Sequence, residues 1–384
     1  MFKKIPVMLL VVIITIIFAG QFIPLPIKQR LYEISLFIKS LLVMLLPLLI
    51  FSLLFKASVN LAHHATRIIG LILVCVCGSS ILCLFLSHYI GIWVYQMDLS
   101  IVLPKNSNEL TPVWTISLPR LIENSHAMLL GLIGGISFGL TKRGLAKKIV
   151  FFLDRVVSKI LNTFTYLIPL FVVGFIVKLQ HDGSIYTIIK DYSKIFTIIA
   201  VSLYSYIFLA YLVISKGNLK TCLNSIQNMF PAAITAFSTM SSVAAMPLTI
   251  IGAENNVKNK DLTKSVIPAT VNIHLVGDCF ATPIFAYAIL KNFSVPEPTF
   301  YSYFIFGFYF ILAKFSVAAI PGGGIIVMLP ILERYLGFNS EMMSLITALY
   351  ILFDPFITCA NVLGNGVFAK GIDYFSFNKK RKMA

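Results

Sequence analysis

Ala318-Ala319-Ile320-Pro321-Gly322-Gly323-Gly324 lies in the middle of an apolar segment, 301–332, that exceeds the length of a membrane span. A proline and three glycines in succession interrupt regular helix. Interrupted backbone is tolerated at membrane depth only where it is buried in protein or lines a wet cavity. The stretch therefore predicts a re-entrant helical hairpin rather than an ordinary span.

Three further apolar segments are broken. Segment 224–251 is interrupted by Ser238-Thr239-Met240-Ser241-Ser242 and then Pro247, and we predict a second re-entrant hairpin there. Segment 264–290 contains Asn272-Ile273-His274 and Gly277-Asp278, and segment 342–370 contains Pro355, Asn361 and Gly364. Paired interruptions in two halves of a chain are typical of transporters with inverted repeats and a binding site at the membrane midplane.

The composition indicates an integral membrane protein. Of the 384 residues, 58% are hydrophobic and 12% are charged, and the mean hydropathy is +0.90. Soluble domains carry about twice that charged share, which excludes a soluble enzyme, a disordered chain and a coiled coil. The net charge of +16 sits in short clusters between apolar runs, as in membrane-protein loops, so we expect no nucleic-acid partner.

We predict an all-α polytopic fold with eight transmembrane helices plus two re-entrant hairpins. The apolar run after Lys3-Lys4 resembles a signal peptide, but no small-residue cleavage site follows it, so we interpret it as the first span. The predicted spans are 6–24, 32–60, 68–96, 124–141, 149–178, 192–215, 264–290 and 342–370.

The basic loops predict the orientation. The side richer in Lys and Arg is cytoplasmic by the positive-inside rule, which places both termini inside. That side carries Lys3, Lys4, Arg67, Lys142, Arg143, Lys147, Lys148, Lys216, Lys220, Lys258, Lys260, Lys264, Lys379, Lys380, Arg381 and Lys382. The other side carries Lys28, Arg30, Lys105, Lys190, Lys291 and Arg334.

Polar residues inside the predicted spans are the candidate functional residues, because polar groups are costly to hold in a membrane. Asp354 needs a cation, and a substrate ammonium would serve; the alternatives are an ion pair with Lys314 or a capped helix break. Asn272 and Asn361 lie beside breaks and could offer amide oxygens to a substrate or ion, or could be ordinary polar packing.

Ser241 and Ser242 stand where a helix begins, so N–H groups there could bind a carboxylate; a simple cap is the alternative. Lys314 lies seven residues before Pro321, ~10 Å from the hairpin tip, unless it snorkels to the surface. His274 and Asp278 share a face if their helix is continuous, which would suit a proton relay; a packed core histidine is the alternative.

We do not expect an enzyme. A serine, His274 and Asp354 could compose a nucleophile, a base and an orienting acid only in principle. The sequence contains no G-x-S-x-G, H-E-x-x-H or phosphate-loop motif. The six cysteines lack the spacing of zinc ligands, and we expect neither a cofactor nor a bound metal.

Four motifs in order resemble the dicarboxylate/amino acid:cation symporter family, which includes glutamate transporter homologues, and the resemblance covers nearly the whole chain. The motifs are 241–247 at the first hairpin, 269–275 in the seventh span, 318–324 at the second hairpin and 354–365 in the last span. The resemblance implies a lipid-embedded homotrimer in which a transport domain slides across the membrane as an elevator.

The same resemblance implies the domain boundaries. Scaffold helices 1 and 2 occupy 1–66, and scaffold helices 4 and 5 occupy 101–190. Helix 3 of the transport domain occupies 67–100, and its core, 191–384, holds helix 6, hairpin 1, helix 7, hairpin 2 and helix 8.

Carried over by motif position, the resemblance implies a substrate site. Asp354 matches the contact to a substrate α-ammonium, and Thr358 matches a threonine that lines the site. The matches to α-carboxylate contacts are Asn361 and the hairpin tips at Ser241, Ser242, Ile320, Pro321 and Gly322.

Two departures from the family pattern concern the substrate. Family members that take acidic substrates hold the second carboxylate with an arginine, and that position is Ile357 here. The arginine that some members carry in the first hairpin is Met240. A buried second carboxylate would be left unpaired, at a cost of several kcal/mol. The sequence therefore predicts a small neutral amino acid as substrate.

Other departures concern the coupling ion. Aspartates of the family's sodium sites are replaced by His274 and Asn365, and Lys314 and Val317 replace residues that frame another sodium site. An ammonium would repel Na⁺ by about 4 kcal/mol at about 4 Å with an effective dielectric constant of about 20. We predict H⁺-coupled transport or exchange without sodium, with Lys314 as a tethered cation and His274 as a protonation site. The coupling-ion candidates are Thr270, Asn272, His274, Asp278, Lys314 and Asn365.

These observations predict a multi-pass secondary transporter of a bacterial inner membrane. One alternative is an H⁺- or Na⁺-coupled symporter of acidic amino acids or C4-dicarboxylates, for which Lys314 is the only intramembrane cation that could serve. A second alternative is an uncoupled anion channel or sensor derived from the same family.

Overall fold

The computed structural model describes residues 15–16, 18–63, 67–97, 110–116, 118–119, 122, 124–183, 185–315, 317 and 322–381. Within these ranges the chain is helical and contains no β-strand. A short 3₁₀ turn, Gly20–Phe22, precedes twelve α-helices. They are α1 (Leu25–His63), α2 (Arg67–Gln96), α3 (Asn124–Thr141), α4 (Arg143–His181), α5 (Ile185–Ile214), α6 (Leu219–Thr239), α7 (Ser242–Glu254), α8 (Lys260–Thr270), α9 (Val276–Asn292), α10 (Phe300–Lys314), α11 (Gly323–Leu336) and α12 (Ser340–Arg381).

The predicted spans from the second to the sixth correspond to single helices. The fourth, 124–141, has the same bounds as α3, and α4 extends the fifth at both ends. The first predicted span, 6–24, lies mostly outside the described residues. Three described segments are long and apolar enough to cross a membrane by length and composition alone: Ile72–Gln96, Tyr192–Ile214 and Glu341–Phe375.

The predicted break in the seventh span is observed. Helix α8 ends at Thr270 and α9 begins at Val276, so residues 271–275 form an irregular connection. The helix pairs α6–α7 and α10–α11 each pack against each other, with short connections at the positions where the sequence is broken.

The predicted break in the last span is wrong. Helix α12 runs without interruption through Pro355, Asn361 and Gly364. A proline inside a helix removes one hydrogen bond and costs about 3 kcal/mol. Helix α12 contacts α5, α6, α7, α8, α9 and α11, and burial against so many partners keeps it helical despite the proline.

Packing divides the helices into two groups. Helix α1 packs along α3 and α4 and makes its main contacts with them. In the second group α9 packs against α2, α5 and α12, and α12 also packs against α6 and α7. Helix α9 is buried along nearly its whole length, from Val276 to Leu290, and lies at the centre of the second group.

Candidate functional site

An open cavity, whose empty volume of about 320 Å³ includes the solvent at its mouth, lies where the helix breaks of the second group meet. Side chains or backbone from α7, the α8–α9 connection, α9, α11 and α12 contribute to its wall. The described lining residues are Met240, Ser242, Asn272, Leu275, Asp278, Val317, Gly324, Tyr350, Asp354, Thr358 and Asn361.

One face of α12 supplies most of the polar groups of the cavity. Tyr350, Asp354, Thr358 and Asn361 follow one another at intervals of four, four and three residues, so they point to the same side of a regular helix. The continuity of α12 therefore fixes the relative positions of these four side chains.

Asp354 is 4% exposed and has a donor on each carboxyl oxygen. Thr358 Oγ1 donates to Oδ1 over 2.9 Å, and the backbone N–H of Gly322 donates to Oδ2 over 2.9 Å. Gly322 has φ of 70° and precedes α11, so the carboxyl group ties the start of α11 to α12. The ion pair with Lys314 that was one alternative for Asp354 is not formed, because Lys314 binds other groups.

Asn361 connects α9 to α12. Its Oδ1 accepts the N–H of Gly277 over 2.8 Å, and its Nδ2 donates to Asp278 Oδ2 over 2.8 Å. A Cβ atom at Gly277 would collide with the backbone of Ile357, so the two helices approach closely there. Asn361 is thus both a cavity residue and a packing residue, and the two interpretations of the sequence do not exclude each other.

Tyr350 is a cavity residue that the sequence analysis missed. Its hydroxyl donates to Asp278 Oδ1 over 2.5 Å. A Cβ atom at Gly324 would overlap both Asp278 Oδ1 and the Tyr350 hydroxyl oxygen, so the three residues are tightly packed. The four-residue interval between Tyr350 and Asp354 on α12 was the available signal.

The first hairpin motif contributes Met240 and Ser242 to the cavity. Met240 adopts the left-handed conformation with φ of 50°, which reverses the chain between α6 and α7. Ser242 is 4% exposed and is the first residue of α7. Ser241 caps α7 by accepting the N–H of Ala244 over 3.3 Å, so the alternative of a simple cap applies to Ser241.

Lys314 is buried beside the cavity and does not snorkel, since it is 1% exposed. Its Nζ donates to the carbonyl oxygen of Leu275 over 2.8 Å and lies 2.8 Å from Cys279 Sγ and 3.4 Å from Ser80 Oγ. Leu275 is the last residue of the α8–α9 connection, and its carbonyl also accepts the N–H of Cys279 over 3.3 Å. The ammonium is therefore a second donor to this carbonyl at the start of α9.

His274 and Asp278 do not share a continuous helical face, because the chain is not helical between 271 and 275. His274 Nε2 lies 3.0 Å from Ser79 Oγ, and its ring packs on Phe368 with a centroid distance of 4.4 Å. Asp278 bonds to Tyr350 and Asn361 instead. The condition for a direct relay between His274 and Asp278 therefore fails, and His274 is a buried histidine of the core.

The remaining coupling-ion candidates differ in their exposure and in their hydrogen-bond partners. Asn272 is exposed and lines the cavity. Thr270 is fully buried and donates to the Val266 carbonyl of its own helix over 2.9 Å. Asn365 donates to the Asn361 carbonyl over 2.9 Å, while its Oδ1 and His274 Nδ1 are buried without a hydrogen-bond partner among the described residues.

Ile357 is fully buried and is not among the described residues that line the cavity. Two other predicted site residues, Ile320 and Pro321, lie outside the described residues. The described lining contains two carboxyl groups, Asp278 and Asp354, and no Arg, Lys or His side chain.

Comparison with known proteins gives a match over nearly the whole chain. The sequence model of the sodium:dicarboxylate symporter family matches residues 5–375. Excitatory amino acid transporter 2 of Mus musculus is 28% identical over 295 residues, which are 71% of this chain and 49% of the mouse protein. The chain thus spans about half the length of that relative.

Shorter matches point to the same group of proteins. Excitatory amino acid transporter 2 of Homo sapiens is 30% identical over 167 residues, which are 43% of this chain and 28% of the human protein. An excitatory amino acid transporter of Caenorhabditis elegans is 29% identical over 151 residues, which are 39% of this chain and 30% of the relative.

Proposed function

Because the chain belongs to the sodium:dicarboxylate symporter family, we propose that it is a secondary transporter of a small neutral amino acid that works without sodium. The substrate lies in the cavity between α7, α9, α11 and α12. Its ammonium group binds Asp354, and its carboxylate binds Asn361 and the N-terminal end of α7 at Ser242. Thr358 holds Asp354 in position.

The observation that carries this proposal is the charge of the cavity lining. The described lining offers a buried carboxyl group to an ammonium and has no cationic side chain for a second carboxylate. A neutral amino acid finds a partner for its ammonium at Asp354 and neutral donors for its carboxylate. An acidic amino acid or a dicarboxylate would bury an extra negative charge without a partner, which is strongly unfavourable.

The geometry of Lys314 argues against the alternative of an acidic substrate. This lysine was the one intramembrane cation that could replace the missing arginine. Its Nζ is bound by Leu275 O, Cys279 Sγ and Ser80 Oγ, and it is absent from the described cavity lining. To reach a substrate, it would have to give up these partners.

The same lysine supports sodium independence. Na⁺ is bound by several oxygen atoms, and a carbonyl at a helix break is a suitable ligand. Here the Leu275 carbonyl already accepts from an ammonium, whose charge repels a second cation. Coupling is then to H⁺, or transport proceeds by exchange.

We also propose the wider architecture that the resemblance implied: a homotrimer in a bacterial inner membrane, with both termini cytoplasmic and two re-entrant hairpins formed by α6–α7 and α10–α11. Residues 1–66 and 101–190 form the scaffold, and 67–100 and 191–384 form the moving transport domain. The separation of the packing contacts into an α1, α3, α4 group and an α2, α5–α12 group supports this division.

The test is uptake of labelled serine, alanine and aspartate by the purified full chain in proteoliposomes. Each substrate is offered with Na⁺, with choline, and with an imposed pH gradient at fixed membrane potential. We expect uptake of serine or alanine at equal rates in Na⁺ and choline, and little uptake of aspartate. Aspartate uptake that depends on millimolar Na⁺ would contradict both the substrate class and the ion.

A further inference from the structure

Asp278 is a buried carboxyl group of the cavity that the proposed contacts to the amino acid do not use. It is 2% exposed and lines the same cavity as Asp354. Any role for it rests on the proposed function, since it concerns how a neutral amino acid is accommodated beside a second acid.

The charges around the cavity do not balance. Asp354 and Asp278 contribute two negative charges when ionised, and Lys314 is the one described cation that acts electrostatically on Asp278. A neutral amino acid brings one positive and one negative charge, so one negative charge is left over with or without substrate. A buried carboxylate in this situation is neutralised by a proton or by another cation.

The packing around Asp278 favours a proton. Tyr350 occupies Oδ1 and Asn361 occupies Oδ2. On the remaining side Gly324 approaches so closely that even a methyl group there would overlap Oδ1. A metal ion needs several ligands and room for them, and a substrate ammonium needs at least the space of a methyl group. A proton needs neither several ligands nor the space of a methyl group.

We propose that Asp278 takes up the coupling proton and carries it across the membrane together with the amino acid. The proton comes from water on the side of uptake, bonds to Oδ1 and is released from Oδ1 to water on the other side. While it is bound, Oδ1–H donates to the Tyr350 oxygen, whose own hydrogen turns towards the cavity. The negative charge next to Asn361 disappears.

Asn361 links the proton to the substrate. Its Nδ2 has two hydrogens, and an anionic Asp278 holds one of them on Oδ2. Neutralising Asp278 weakens that bond and removes a negative charge beside the place where the substrate carboxylate binds. Protonation of Asp278 and binding of the amino acid therefore favour each other, which is the requirement for symport.

The titratable groups around Asp278 come from several elements. From α12, Tyr350 and Asp354 interact with it, and from α10, Lys314 does. Helix α11 faces it with Gly324. From α9 itself, Cys279 interacts with both Asp278 and Lys314. Cys77 of α2 interacts with Lys314, and Cys83 of α2 and Tyr206 of α5 interact with each other and with Cys279. His274, just before α9, contacts Ser79.

The experiment compares the full-length parent protein with its Asp278→Asn variant, each reconstituted in proteoliposomes. The outside solution is made either more acidic or more alkaline than the inside. One pH unit corresponds to 1.36 kcal/mol and so to about tenfold accumulation for one proton per substrate. We expect accumulation of serine about tenfold when the outside is acidic by one unit, and none with Asp278→Asn. The quantity compared is the ratio of serine accumulated with the gradient to serine accumulated without it, so a slower exchange rate in the variant does not affect the result.

Asp373→Asn is the matched control, since Asp373 is a buried carboxyl group that binds the N–H groups of Lys258 and Asn259 away from the cavity. This variant is expected to keep gradient-driven accumulation. If Asp278→Asn still concentrates serine under the gradient, or if the parent exchanges serine but never responds to pH, the proton site is wrong although the proposed function stands. Failure of the parent to transport any neutral amino acid overturns both.

Tyr350→Phe tests the same idea if Asp278→Asn does not fold. Tyr350 donates to Asp278 and stabilises its anion, so its removal makes protonation easier. The pH at which serine uptake is half-maximal is expected to rise, and this pH is read from a profile normalised to the variant's own maximum. An unchanged pH profile in Tyr350→Phe would contradict the proposal.

Discussion

Lys314 Nζ lies 2.8 Å from the carbonyl oxygen of Leu275, and the lysine is 1% exposed. The carbonyl belongs to the break between α8 and α9, and the lysine is the last residue of α10. A covalently attached cation thus stabilises a helix break next to the cavity. A free ion would stabilise the break only while it is bound. The difference between an attached and a free cation can be tested directly by replacing the lysine.

Replacing the lysine should restore a requirement for a free cation. In Lys314→Ser the Leu275 carbonyl and the Ser80 hydroxyl lose the ammonium, and the shorter side chain leaves space beside these two oxygens for Na⁺. We expect uptake by Lys314→Ser to be stimulated severalfold by millimolar Na⁺ over choline, whereas the parent shows no stimulation. Lys370→Ser is the control, because Lys370 binds Ser215 and Ser225 away from the cavity. Equal ion dependence in parent and Lys314→Ser would remove the tethered-cation role.

Asp354→Asn should abolish amino-acid uptake. The variant keeps the shape of the side chain and an oxygen for Thr358 or Gly322, but it loses the charge that binds the ammonium. Removing one partner of a buried ion pair costs about 3–5 kcal/mol, which corresponds to a loss of about 100-fold or more. The initial rate of serine uptake well below saturation measures this loss, and Asp373→Asn should retain most of its activity. A loss below tenfold would mean that the ammonium binds elsewhere.

Ile357→Arg should shift the substrate preference towards acids. Position 357 lies three residues from Asp354 and four from Asn361 on α12, so a long side chain there can reach the cavity. The guanidinium supplies the cation that the lining lacks. We expect the ratio of aspartate to serine uptake to rise by about tenfold or more, from about 1.4 kcal/mol of added pairing. Ile357→Met, which is long but uncharged, is the control and should leave the ratio unchanged.

Gly324→Ala should damage the site through packing alone. The added methyl group overlaps Asp278 Oδ1 and the Tyr350 hydroxyl, and overpacking of a well-packed interior costs about 1–3 kcal/mol. We expect a lower melting temperature and reduced serine uptake. Gly78→Ala is the matched control, because a Cβ there meets nothing within 4 Å in the interior of α2. If Gly324→Ala and Gly78→Ala have the same melting temperature and the same serine uptake, the close contact between α11, α9 and α12 is not required for stability or transport.

The sequence predicted the breaks that create the cavity better than it predicted the cavity itself. Residues 271–275 are irregular because Asn272 and Gly277 favour departures from helix, and the freed N–H of Gly277 finds a partner in Asn361. Lys314 adds a second donor to the Leu275 carbonyl. Pro355 gave the same local signal, yet α12 remains helical there. Local signals record only the preference of the chain, and the packing of α12 against α5, α6, α7, α8, α9 and α11 outweighs that preference at Pro355.

Local sequence patterns could not predict which residues form hydrogen bonds with the candidate residues. Asp278 stood out as polar within a span, but Tyr350, 72 positions away, could not be paired with it. In the same way, Ser79 and Ser80 of α2 bond to His274 and Lys314 only because helices that are distant in the sequence are in contact. Local patterns do not contain this information. Asp354 and Asn361 stood out as polar residues within a span, and Thr358 was indicated only by the family resemblance. Their common face depends on the continuity of α12, which the sequence did not predict.

The N–H of Gly322 is bound to the same carboxyl group that we propose for the substrate ammonium. Both oxygens of Asp354 thus have donors from the protein itself, one from α12 and one from the start of α11. In the transport cycle that we propose, these two donors lower the electrostatic cost of moving the carboxyl group across the membrane. Under that proposal the carrier can also return empty, so we expect net movement of its cargo in addition to one-for-one exchange.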